Sequence, residues 1–144
     1  MVRWERAANP VTTSFGIGST LPLLGSASGR VFLTFPPRRL STDLLTAERH
    51  NTHATKLAWP DLDLSDDGID HVVAQVRRDR MTTVDGRFIP GLKAVSAAVT
   101  KWQGEAEVAV ILIGTRDDVL TPDGQPRTRL HSFTTHLSVP RSPG

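Results

Sequence analysis

Two short stretches hold residues whose types and spacing could do chemistry. The first is GSASGRVFLTF, Gly25 to Phe35. Small residues at the approach to a helix let a ligand reach backbone N–H groups at the helix's positive end. A phosphate loop needs four residues between its glycines and then Lys and a hydroxyl residue. Here three residues separate Gly25 from Gly29, and Arg30 is followed by Val31, so the stretch does not fit the nucleotide-loop pattern. A nucleophile elbow, G-x-S-x-G, needs Ser at its centre, where this chain has Ala27. A hydrolase built on Ser28 with His71 or His131 therefore lacks its elbow, and no enzyme activity is expected. The second stretch, RHNTH, sets His50 and His53 three apart with no acid or further ligand nearby. That pattern reads as a solvated helix end rather than a metal site. Cysteine is absent, which excludes disulfides, thiolate nucleophiles and Cys-based zinc sites. No metal or cofactor is implied.

The elements that must position the Gly25–Phe35 stretch follow from pattern. VRWER and VTTSFGIG, within residues 1–20 and separated by the turn signal Asn9-Pro10, read as two extended pieces. Ser26 or Ser28 can cap a helix over Gly29 to Phe35, which Pro36 and Pro37 must end. A second helix is expected from Ser41 to about His50, burying Leu40, Leu44 and Leu45. The strongest helical pattern is DLDLSDDGIDHVVAQVRRDRM. Ser65 caps it, Asp66 and Asp67 sit in its positive first turn, and Ile69, Val72, Val73 and Val76 keep helical spacing. Near the C-terminus, Asp123-Gly124 makes a turn and Pro126 starts a helix with a stripe of Leu130, Phe133 and Leu137, stopped by Pro140.

Between these helices, Leu92 to Val99 and Glu107 to Ile113 read as strands joined through TKWQGEAE, after a tight turn at Asp85-Gly86 and a break at Pro90-Gly91. If Trp102 and Glu105 lie across the turn, Ala94 falls opposite Ile113 and Ser96 opposite Ile111. That register separates two faces. One carries Val95, Ala97, Val99, Val108, Val110 and Leu112, bulky enough to pack a helix layer. The other mixes Ile111 and Ile113 with Ala94, Ser96, Ala98 and Ala109. Small side chains there either leave room for a ligand or admit a closely packed helix. The glycines and serines of the first stretch carry a similar choice between ligand loop and plain turn.

The element order gives an α/β (α+β) fold, a GAF- or profilin-like antiparallel sheet flanked by helices. LPLLGSASGRVFLTF (Leu21 to Phe35), followed about fifty-five residues later by DGRFIPGLKAVSAAVTKWQGE (Asp85 to Glu105), resembles the C-terminal effector-binding domain of the IclR family of bacterial transcription regulators. The resemblance runs from about Gly18 to Val139. It implies an effector pocket lined by Gly25, Ser26, Ala27 and Ser28 before the first helix, by Val84 and Asp85, and by strand positions Leu92, Ala94, Ile111 and Ile113. Some family members carry hydroxyl residues where this chain has Ile111 and Ile113, so the implied effector is a small organic molecule of hydrophobic or aromatic character. The chain departs from the family pattern at Ala98, where a proline is common before the strand valine, and at Lys101, with no acidic residue in TKWQG.

The chain has 144 residues, 38% of them hydrophobic, the size of one domain with its own core. Family members carry an N-terminal winged helix-turn-helix and the first part of the effector domain, for which this chain has no room. The reading is of a single effector-binding domain over 1–144, lacking those first elements, that reaches DNA only through the missing unit. A formal net charge of +2 with scattered basic residues adds little affinity for nucleic acid. The N-terminus is too polar for a signal peptide, and the longest apolar run, Val108 to Ile113, is too short to cross a bilayer. A cytoplasmic protein that forms a homodimer or tetramer is expected. The competing reading is a stand-alone small-molecule-binding or interaction module with no transcriptional role.

Overall fold

The computed structural model describes residues 21–35, 41–50, 63–86 and 90–140. The extended pieces expected within 1–20, Pro36 and Pro37, Leu40 and His53 lie outside them. Helix α1 spans Ala27–Thr34. Of the two candidate caps, Ser26 is the one used: its extended backbone (φ −113°, ψ 151°) aims the hydroxyl at the Gly29 N–H, 3.0 Å away. Helix α2 spans Ser41–His50 and α3 spans Asp66–Asp79. Ser65 caps α3 through the Gly68 N–H at 3.1 Å, as its position implied. The last turn of α3 closes on Arg80, whose left-handed φ of 61° reverses the chain into a strand.

That strand, β1 (Met81–Asp85), pairs antiparallel with β2 (Lys93–Thr100), which pairs antiparallel with β3 (Ala106–Gly114), giving the order β1-β2-β3. The register is the expected one: Ala94 faces Ile113 and Ser96 faces Ile111. A bulge at Val99/Thr100 shifts the last pair to Thr100–Ala106. The connecting turn closes through a 2.8 Å bond from the Gly104 N–H to the Lys101 carbonyl, with Gly104 at φ 82°. A short 3₁₀ turn, Asp117–Val119, precedes α4 (Gln125–Leu137).

Each sheet face meets a different partner. Val95, Ala97 and Val110 pack with Met81, Val119 and Leu130 under α4. On the opposite face Ala98 and Ala109 pack with Val31 and Phe35 of α1 and Val72 and Val76 of α3. A third cluster, Leu24, Leu33 and Ile69 with Leu45 and Val73, joins α1, α2 and α3. Methyl-sized side chains at Ala98 and Ala109 let α1 lie close to the sheet, and the Ala106 N–H bonds the Phe35 carbonyl at 3.0 Å, tying the end of α1 to the start of β3.

Three packing expectations require correction. Leu44 is 56% exposed, whereas Leu45 turns inward from α2. In α4, Leu130 is buried but Phe133 (55%) and Leu137 (49%) are exposed, because Leu130 and Thr134, one turn apart, form the face that meets the sheet. The bulky face is only partly covered, since α4 lies over β2 and leaves Val108 and Leu112 at the surface on β3.

Candidate ligand-binding site

The site begins with one ladder. Val84, Ala94 and Ile113 are paired across the three strands and point to the α1 side of the sheet, with Thr82, Ser96 and Ile111 forming the next row on that face. Burial along it is uneven. Toward the β2–β3 turn, Ser96 and Ala98 are buried, Ser96 with its hydroxyl donating to the Val110 carbonyl at 3.1 Å. At the other end Ala94, Ile111 and Ile113 are only half-buried. The small-residue face is thus two regions: close helix packing at the turn end, and a partly open apolar wall at the Ala94–Ile113 end. Leu92, just before β2, is half-buried, and its carbonyl accepts the Gly86 N–H at 2.8 Å. Asp85 falls on the opposite face, with its carboxylate 3.6 Å from the Lys93 ammonium, which also lies 3.4 Å from Asp117.

The loop before α1 is rigidly built. Gly25, Ser26 and Ala27 are buried and Ser28 is half-buried. The Ser26 hydroxyl is fully committed, accepting from Gly29 N–H and donating to the Pro22 carbonyl at 2.6 Å. Gly29 sits against the Pro22–Leu23 backbone with no room for a Cβ. The Leu23 and Leu24 N–H groups donate to the Glu48 carboxylate of α2 at 2.8 and 3.1 Å. Arg30 Nε donates to the Leu24 carbonyl at 2.8 Å. The N–H groups of Ala27 and Ser28, the first two of the helix, have no acceptor among the described residues, and the Ser28 hydroxyl has no partner among them. These are the positions at which an α-helix has no intrahelical acceptor of its own. Ser28 is not hydrogen-bonded to His71 or His131, both exposed.

Sequence reasoning did not single out β1 or Glu48. The signal for β1 was present in the β-branched run Thr82-Thr83-Val84 between a helix end and a glycine. Glu48 has no local signal, because its role depends on a contact 24 and 25 residues away.

No protein-family model matches the chain, and no curated protein matches it significantly. Solved structures do. HmgR of Pseudomonas aeruginosa matches with a TM-score of 0.71 and 27% identity, over 93% of this chain and 51% of that one. An IclR transcriptional regulator from Alicyclobacillus acidocaldarius matches with 0.67 and 18%, over 92% and 51%. The C-terminal domain of the transcriptional regulator KdgR of E. coli matches with 0.59 and 20%, over 81% and 69%. The fold is α+β and is that of the C-terminal domain of IclR-type transcription regulators. The chain spans about half the length of the first of these structures. No described helix is long and apolar enough to cross a membrane.

Proposed function

We propose that this chain is the small-molecule-sensing and self-associating domain of an IclR-type transcription regulator. The observation that carries the reading is the uneven closure of the α1 face: toward the turn, Ala98 and Ala109 are covered by Val31 and Phe35, whereas Ala94, Ile111 and Ile113 form an apolar wall that is only half-buried. An apolar wall with a few polar groups is the usual division of labour in a ligand site. Here the polar contribution comes from the Ala27 and Ser28 N–H groups and the Ser28 hydroxyl, while Gly25, Ser26 and Gly29 shape the loop that presents them. On β1 the wall ends at the buried Val84, and Leu92 borders it, while Asp85 belongs to the other face of the sheet. The wall's hydrocarbon character favours a hydrophobic or aromatic effector with one polar end.

Binding at such a site would favour one arrangement of paired domains over another and so bias any DNA-binding units attached to them. The exposed Val108, Leu112, Phe133 and Leu137 supply apolar surface for the pairing of copies. A thermal-shift screen of aromatic acids, phenols and short acyl compounds tests the site. A ligand at about 100 times its dissociation constant stabilises by ~2.7 kcal/mol, or roughly 5–10 °C for a domain of this size. Ala94→Phe should abolish the shift while the protein stays folded. Unfolding by Ala94→Phe, with no compound raising the melting temperature of the parent protein, would make the wall a packing surface.

A further inference from the structure

A concavity lies at the opposite end of α1 and is lined by none of the ten residues of the proposed effector site. Its origin is a mismatch in strand length. β2 runs to Thr100, but β1 begins opposite Ala97, so the last residues of β2 overhang. The chain after α4 takes up part of the vacant ladder: the Val139 N–H donates to the Thr100 carbonyl at 2.9 Å, and the Thr100 N–H donates to Ser138 Oγ at 3.0 Å. Between that segment, the end of α1 and the end of α3 remains a half-open groove of about 1120 Å³.

Its chemistry is asymmetric. Phe35 and Ala98, both buried, line it together with Val139 and Pro140, and its charged lining is Arg77, Arg80, Lys101 and Glu105, with the Lys101 ammonium paired to Glu107 at 3.4 Å. The nearby hydroxyls are turned to other work: Thr34 donates to the Arg30 carbonyl, Thr134 to the Leu130 carbonyl and Ser138 to the Thr134 carbonyl. Of the arginines ending α3, Arg78 is taken by Asp79 at 3.0 Å, whose carboxyl it holds below the usual carboxylate range. Arg77 and Arg80 have no carboxylate partner among the described residues. Arg80 is nonetheless positioned. Its guanidinium carbon lies 5.2 Å from the Phe35 ring centroid, and its Nη2 reaches Thr100 Oγ1 at 3.5 Å. Stacking occupies the face of a guanidinium and leaves in-plane N–H groups for an oxyanion.

We propose that this groove is a second ligand site, which takes an organic phosphate: a dianionic head between Arg77 and Arg80, with an apolar body against Phe35 and Ala98. Two guanidinium groups without a carboxylate partner match the dianion of a phosphate monoester better than a monocarboxylate, and the buried ring favours an ester over inorganic phosphate. The inference does not depend on the effector site at the other end of α1.

Phenyl phosphate is the probe, titrated into the ¹⁵N-labelled chain with inorganic phosphate, phenol and benzoate in parallel. The expected result is saturable amide shifts confined to residues 34–35, 77–80, 98–105 and 131–140. Inorganic phosphate, phenol and benzoate should each bind at least tenfold more weakly. Arg77→Gln and Arg80→Asn should each weaken phenyl phosphate about tenfold, Asn being chosen because it tolerates the left-handed backbone of position 80. Ala94→Phe should leave this binding unchanged. Inorganic phosphate binding as tightly as the ester would mean an adventitious ion only. Shifts centred on Gly25–Ser28 and Ala94, no saturable shifts, or full affinity in both arginine variants would equally overturn the proposal.

Discussion

Gly29→Ala probes the loop that presents the proposed site. A Cβ at position 29 would lie 2.6 Å from the Pro22 carbonyl oxygen and 2.7 Å from Leu23 Cα, and closer still to the Leu23 carbonyl oxygen. All three are backbone atoms, so no flexible side chain can swing away. Helix propensity favours the substitution by up to ~1 kcal/mol, whereas forcing a methyl into packed structure costs ~1–3 kcal/mol and occasionally more. Here the loop is also pinned by Glu48 and by Ser26, which limits relaxation. The net expectation is a loss of about 1–3 kcal/mol, or a fall in melting temperature of roughly 3–10 °C. Circular dichroism melts of the substituted and parent chains measure it, with Ser28→Ala as a neighbour expected to stay within about 0.5 kcal/mol. A Gly29→Ala protein as stable as the parent, or more so, would refute the close approach of α1 to its own lead-in.

Ser26→Ala should cost ~1–2 kcal/mol in the same melts, since it removes the helix cap and the bond to Pro22 together. Glu48→Ala should cost ~1.5–3 kcal/mol by leaving two backbone N–H groups without their charged acceptor, with hydrogen exchange at Leu23 and Leu24 rising alongside. Sedimentation at micromolar concentration should show association that Phe133→Glu weakens without lowering the melting temperature, because that side chain is exposed in the single chain.

The parts of the fold legible in the sequence are those with local causes. Ser65 precedes its helix directly, and the β2–β3 register follows from one turn and the period of two, so both are found as expected. What escaped depends on distance. The β-branched run of β1 is defined as a strand by its pairing with β2, ten or more residues away along the chain. The inward face of α4 is set by where the helix lands on β2, which puts the polar Thr134 inside and Phe133 outside against the simplest hydrophobic stripe. The candidate wall was legible as a face, but its division into a packed half and an open half needed the position of α1. The groove at the other end had no sequence signal, because its lining comes from α1, α3, the β2–β3 turn and α4 together.

The most direct test of the sensing account is a crystal structure of the chain with the best compound from the thermal-shift screen. The account predicts ligand density against Ala94, Ile111 and Ile113, with the polar end of the molecule within hydrogen-bond distance of the Ala27 or Ser28 N–H. Density only elsewhere, with the Ala94–Ile113 wall bare or closed over by α1, would contradict it.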